Sequence, residues 1–307
     1  MKMEYYNSFS QYLKKMFGCK VHKVSINAGM TCPNRDGSLS YDGCIFCDDT
    51  GSAAKPCKPE IPVETQIANG KKVMAEKYRA VKFLAYFQAY TNTYGDVELL
   101  SDLYRKAVDD EDIVGLVIGT RPDCISDAIL KVLSDISKDK YVQIEYGLQS
   151  IHDRSLRYLN RHHSFDDFVN ACKMTRQFPE IKIGTHIILG IDGETKEDMI
   201  RTAEAVSDIG IDLIKVHHMH VIKGTKLEEL YLKGEFTPLS AEEYIELLVT
   251  FLEHISDKII VDRLFGDRSH DVMVAPRWSI KKRVVLNMIE AEFNRRKTRQ
   301  GAKYEKK

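Results

Sequence analysis

The sequence predicts an α/β protein, a partial parallel (β/α)6 barrel followed by a mainly helical, basic C-terminal extension. Three observations carry that prediction. Strand-like runs begin at positions 81, 113, 141, 182 and 213, at intervals of 32, 28, 41 and 31 residues, the length of a short strand plus a crossover helix. Several runs, such as Ile113-Val114-Gly115-Leu116-Val117-Ile118, are continuously apolar, as strands covered on both faces are. Amphipathic stretches with helix-start signals lie between them.

The elements follow in order. Residues 1–20 form an N-terminal segment of mixed tyrosines, serines and lysines, ahead of a first strand at 21–27. The later strands are expected at 81–87, 113–119, 141–147, 182–189 and 213–221. Asp96 precedes Val97-Glu98-Leu99-Leu100 as a helix cap, and Thr195-Lys196-Glu197-Asp198 has the form of a capping box. Ser240-Ala241-Glu242-Glu243 opens a helix carrying Ile245, Leu247, Leu248 and Phe251. Residues 21–222 form the core barrel on this reading. Residues 223–307 bring a helix, one strand near 258–263 and a long basic helix, an extension packed on the barrel.

Composition narrows the class. At 307 residues, 43% hydrophobic and 29% charged, the chain is an average globular protein, not a collagen, a coiled-coil rod or a disordered chain. Its uncharged apolar runs, at 113–118 and 187–191, are too short to cross a bilayer, and residues 1–20 contain no apolar signal core. A cytoplasmic protein without a membrane partner is expected. The formal net charge is zero, yet residues 277–307 hold 11 basic against three acidic side chains, a local charge of +8. Such an end is a nucleic-acid footprint or a solvated, lysine-rich terminus, and charge alone favours the second.

Seven cysteines, an odd number without a secretory signal, point to a metal or redox site rather than a disulfide scaffold. Cys19, Cys124 and Cys172 are scattered. The others form Cys32-x11-Cys44-x2-Cys47, directly after the first strand, with Cys57 beyond. Three cysteines on a [4Fe–4S] cluster leave one iron open, as a catalytic site requires. A structural zinc closed by Cys57 is the alternative, and the cysteines alone do not separate the two. Position at the end of a barrel strand favours the cluster.

The strand ends gather polar groups: Gln88, then Arg121 and Asp123, then Glu145, Gln149 and Ser150, then His186, and last His217, His218 and His220. In parallel α/β barrels the chemistry sits at that rim.

The cysteine loop, with Phe46 between its last two cysteines, resembles that of radical S-adenosylmethionine (SAM) enzymes. Segments such as Tyr86-Phe87-Gln88-Ala89-Tyr90, Gly119-Thr120-Arg121-Pro122-Asp123, Ile144-Glu145-Tyr146-Gly147-Leu148-Gln149-Ser150, His186-Ile187-Ile188-Leu189-Gly190 and Ala275-Pro276-Arg277-Trp278 extend the likeness over nearly the whole chain. Together they resemble the bacterial YtqA/YhcC family, whose core is similar to that of the Elongator catalytic subunit. The resemblance implies one [4Fe–4S] cluster on Cys32, Cys44 and Cys47, with SAM on the open iron. It places Phe46 by the adenine and Gln88 at the methionine amino group, although Phe87-Gln88-Ala89 departs from the usual Gly-Gly-Glu-like pattern. Glu145, Gln149 and Arg121 would line the ribose and carboxylate, and Gly190 the adenine side.

The same resemblance implies a 5′-deoxyadenosyl radical acting on wobble uridine of tRNA, converting a 5-carboxymethylaminomethyl group to 5-aminomethyl. Implied partners are tRNA, an electron donor such as a flavodoxin or ferredoxin, and a downstream SAM-dependent methyltransferase. No acetyltransferase domain follows the core. Tyr86, Tyr90 and Tyr94 would stack a splayed base or simply pack at the strand end. Two other readings stay open: a radical enzyme acting on a small molecule or a protein, and a non-catalytic zinc protein that binds RNA.

Overall fold

The computed structural model describes residues 5–306 other than 52, 55, 267, 270 and 279. The apolar runs become β1 (Val21–Ile26), β2 (Lys82–Phe87), β3 (Ile113–Thr120), β4 (Tyr141–Gln149), β5 (Lys182–Leu189) and β6 (Leu213–His218). They lie side by side in chain order, each pair parallel. Between them run α2 (Val63–Tyr78), α3 (Val97–Val108), α4 (Asp127–Ser137), α5 (Asp153–Tyr158), α6 (Phe165–Thr175) and α7 (Lys196–Ile209). Their starts are the expected ones. The Asp96 side chain accepts from Leu99 N, and Thr195 and Asp198 form a reciprocal capping box.

Period-2 alternation divides each strand between two environments. Outward residues such as Val24, Phe83, Ala85, Leu116, Ile118, Ile144 and Ile183 join the helices in the main core. Inward residues at the strand starts, Val21, Leu84, Val117 and Leu213, meet Phe9 and Leu13 of α1 (Phe9–Phe17). The amphipathic N-terminal helix therefore plugs one end of the half-barrel. The opposite end, where the strands finish, stays open.

One strand changes the count. β8 (Ile260–Arg263) pairs parallel with β6, so the sheet has seven strands, the last supplied from beyond residue 222. Four residues carry too little periodicity to assign a sheet position. The expected run at 213–221 also divides, with β6 ending at His218 and β7 (Val221–Ile222) turning to pair antiparallel with β9 (Met273–Ala275).

The C-terminal part adds α8 (Lys226–Leu232), α9 (Ala241–Glu253), whose N-cap is the expected Ser240–Glu243 box, and α10 (Lys282–Arg296). Its end differs from a solvated terminus. Arg296 bonds Glu292, Glu253 and the Glu246 carbonyl, Arg295 bonds Glu292, and Lys303 bonds Glu253, itself 2% exposed. Gln300 donates to the carbonyls of Ser256 and Ile259 and accepts from Asn7 N, tying the two ends of the chain together. Among the described residues no helix is long and apolar enough to cross a membrane.

Candidate active site

Between β1 and α2 the described residues form no helix or strand, so their polar backbone must find partners locally. Arg35 N and Asp36 N donate to Cys32 O, Gly43 N to Asn34 O and Cys47 N to Cys44 O. Asn34 Nδ2 donates to Asn160 O at 2.6 Å, and Asn160 Nδ2 returns a 2.6 Å bond to Gly43 O. Gly43 has φ 71°, and a Cβ there would lie 2.8 Å from Arg35 Nε, so the turn needs glycine. Tyr90 donates to Asp49 O, and Tyr94 shares a 2.8 Å bond with Ser38. Tyr90 and Tyr94 thus brace the loop through their hydroxyls, while Tyr86 is buried inside the barrel.

The braced loop holds Cys32, Cys44 and Cys47 on one wall of a cavity of about 1460 Å³ at the open end of the half-barrel. Arg161 Nη1 donates to Cys44 Sγ at 3.2 Å, and Asn34 Nδ2 approaches the same sulfur at 3.5 Å. Arg121 is bidentate to Asp123 at 2.9 and 2.7 Å, while its Nη1 is buried without a partner. Burial, and then the neighbouring Cys44, push the Cys47 thiol up to about 12, against the charge of Arg35. Ligation removes that proton, and Arg35, Arg121 and Arg161 supply the positive charge that stabilises thiolates.

Cys57 lines the same cavity but donates to Ser25 O at 3.0 Å, so the four-cysteine closure a structural zinc needs is not formed. Among the described residues no three His, Cys, Asp or Glu side chains could grip one metal ion. The thiolates of a cluster each hold a different iron and so stand further apart than ligands of one ion. The donor set of three thiols, with guanidinium donors and an orphaned Arg121 Nη1 behind them, fits a [4Fe–4S] cluster.

Phe46, Gln88, Arg121 and Gln149 line this cavity with the cysteines. Gln88 accepts from Ser25 Oγ at 3.0 Å, and Gln149 sits in the left-handed region at φ 73°. Gly190 stands apart from the lining: at φ 83° it turns the chain after β5, and a Cβ would strike Leu239 at 2.7 Å. Phe46 packs in the cluster of Leu159, Ile188 and Ile191, so the neighbours of Gly190 are what face the aromatic ring.

Glu145, expected at the ribose, lines the same cavity within a dense network of protein partners. It is 1% exposed on the cavity floor. Oε1 accepts from Lys23 at 2.8 Å and Gln143 at 2.7 Å; Oε2 accepts from Lys215 at 2.5 Å and meets His186 Nε2 at 2.9 Å. Lys23 also bonds Asp262 at 2.5 Å, and Lys215 bonds Tyr86 Oη at 3.0 Å. Burial opposes the charge, but Lys215 and then Lys23 hold the carboxyl well below its usual range. Both oxygens are thus engaged by protein partners, which ties this part of the cavity floor together.

Lys23, Lys215, Asn34, Arg161, Arg263 and Arg268 were not singled out in the sequence. One signal was present for Lys215, a lysine inside the apolar run Leu213-Ile214-Lys215-Val216, because buried charge demands a partner. Across the cavity from the thiols stand His186, His217, His218 and His220. His218 stacks on Trp278 at 4.1 Å, and burial lowers it to about 2 and His220 to about 3. These imidazoles are neutral at pH 7.

Residues 29–206 match the Radical SAM superfamily and residues 211–295 the Radical SAM C-terminal domain. Bacillus subtilis YtqA is 37% identical over 96% of this chain and 92% of its own length. Escherichia coli YhcC is 34% identical over 89% and 87%. A tRNA uridine(34) acetyltransferase of Methanocaldococcus infernus is 32% identical over 44% of this chain and 25% of its own. Among solved structures, M. infernus Elp3 superposes with a TM-score of 0.68 over 91% of this chain and 64% of that one, at 21% identity.

Proposed function

This chain belongs to the radical SAM superfamily, and we propose on that premise that it matures the wobble uridine of tRNA, converting 5-carboxymethylaminomethyl to 5-aminomethyl. It is an enzyme that uses a [4Fe–4S] cluster and SAM. The observation that carries the reading is one large cavity lined by the three thiols together with imidazole and guanidinium groups. Small-molecule sites typically occupy about 300–1,000 Å³, so a cavity of about 1460 Å³ leaves room for a substrate group beside the cofactors.

Cys32, Cys44 and Cys47 would hold the cluster, which together with SAM supplies a one-electron route to a radical that abstracts hydrogen from unactivated carbon. The residues of the chain set its surroundings. Arg161 and Asn34 donate toward Cys44. Phe46 offers an apolar face for the adenine, while Gln88, Arg121 and Gln149 offer polar groups for the rest of the cofactor. The Lys23–Glu145–Lys215 network holds the floor rigid beneath them. An electron donor such as a flavodoxin or ferredoxin would reduce the site, and a methyltransferase would act on the amine produced.

Support for RNA comes from the rim. Arg268 lines the cavity, and Lys282 lies 5.8 Å from the Phe265 ring. Arg277, Lys281, Lys282 and Arg283 are exposed at the start of α10. Phosphate binding needs such groups near the mouth, and they are better placed than the ion-paired Arg295 and Arg296. The likeness to an archaeal tRNA uridine(34) acetyltransferase adds a second support, although its acetyl transfer is not carried over. Residues 21–222 serve as the catalytic barrel and 223–307 as an extension that lends it β8.

Nucleoside mass spectrometry of tRNA from a deletion strain tests this. The carboxymethylaminomethyl form should accumulate and aminomethyl derivatives disappear. An unchanged nucleoside profile would overturn the assignment.

A further inference from the structure

The cavity is lined by different groups on its two sides. The thiols, Arg35, Asp48, Asp49, Arg121 and Arg161 share the β1–β4 side. The β5–β8 side presents His186, His217, His220, Arg263 and Arg268. The carboxylates beneath that side are engaged: Glu145 by Lys23, Lys215, Gln143 and His186, and Asp262 by Lys23. Arg263 ends β8 with its side chain exposed to the cavity, and among the described residues it makes no ion pair or hydrogen bond. Burial first, and then the Arg263 charge, hold His217 well below the ordinary histidine range. The wall therefore offers a guanidinium without an ion pair among the described residues, beside the neutral imidazole of His217. A guanidinium fork matches a carboxylate in two parallel hydrogen bonds.

We propose that Arg263, beside His217, is an anion subsite that seats the carboxylate of the substrate's uridine substituent in the cavity that the cluster thiols also line. The inference rests on the wobble-uridine reading, in which the substrate carries a carboxymethyl group that the product lacks. The subsite would then distinguish substrate from product, because only the substrate carries the carboxylate.

The test uses the reconstituted full chain and two anticodon stem-loop RNAs, with 5-carboxymethylaminomethyluridine or 5-aminomethyluridine at the wobble position, titrated by fluorescence anisotropy. The wild type should prefer the carboxylated RNA by about tenfold, the ratio one charge-assisted hydrogen-bond pair supplies. Arg263→Gln should lose the preference while keeping its affinity for the aminomethyl RNA, and Arg263→Lys should recover part of it. Equal melting temperatures would show that all three proteins are folded. A full preference in Arg263→Gln overturns the subsite. So does a parallel weakening toward both RNAs with a flatter salt dependence, which would mark Arg263 as a backbone-phosphate contact. A wild type that converts the carboxylated RNA without preferring it also removes the subsite and leaves the wobble-uridine reading standing. If the wild type binds neither RNA and forms no 5′-deoxyadenosine with them, that reading falls and the subsite with it.

Discussion

Glu145→Gln separates a structural carboxylate from a cofactor contact. Glutamine preserves the shape and one acceptor but removes the charge that Lys23 and Lys215 share. Asp262 would be left to serve both, at 2.5 Å from Lys23 and 3.6 Å from Lys215. Breaking a buried ion pair by removing one partner costs about 3–5 kcal/mol. For 307 residues, an unfolding entropy of about 2.1 cal/mol/K per residue gives about 0.65 kcal/mol/K, so the melting temperature should fall by about 5–8 °C. Lys82→Ala, which breaks the half-exposed pair with Asp112, should cost under about 1 kcal/mol.

The pH dependence has a definite sign. The folded pKa of Glu145 lies well below that of an unfolded glutamate, about 4.3. Its stabilisation is thus complete above that value and is lost as pH falls through the folded pKa. The gap between wild type and Glu145→Gln, read by calorimetry, should be full above about pH 5 and narrow in acid. A shift under about 1.5 °C at neutral pH, together with weakened SAM binding, would refute the network reading and restore Glu145 to the cofactor site.

Replacing Cys32, Cys44 or Cys47 by Ala should abolish iron binding and SAM cleavage, whereas Cys57→Ala, whose thiol bonds Ser25 O, should keep the iron; elemental analysis and visible absorbance decide. Arg161→Met removes a donor to Cys44 Sγ and should make the cluster harder to reduce by about 40 mV, one net hydrogen bond of about 1 kcal/mol taken over one electron; an unchanged midpoint in an EPR-monitored titration would place Arg161 outside the tuning shell. Neutralising Arg277, Lys281, Lys282 and Arg283 together should flatten log K against log salt for tRNA by about three units, and an unaltered slope would remove that patch from the interface. Arg296→Ala should instead destabilise the fold by about 1–3 kcal/mol, because it leaves the buried Glu253 with a weaker set of donors; an unshifted denaturant midpoint would contradict this.

Features settled by near neighbours in the chain were legible from the residues alone. Continuous apolar runs announced the parallel strands, and the Asp96, Thr195 and Ser240 caps appeared in place because a cap is settled within one helical turn. The cysteine spacing marked the metal loop for the same reason, since its members lie within one segment. Tertiary structure decided everything that depended on distant partners. Four residues, Ile260–Arg263, became a seventh strand only because β6 offered an open edge. Glu145 was visible at a strand end, but Lys23 and Lys215 reach it from sequence separations of 122 and 70 residues and surround it with a buried ion network. The basic tail read as free charge until α9 supplied Glu253. Local pattern fixes the period and polarity of an element, whereas the partners of a charge depend on which strands the fold brings side by side.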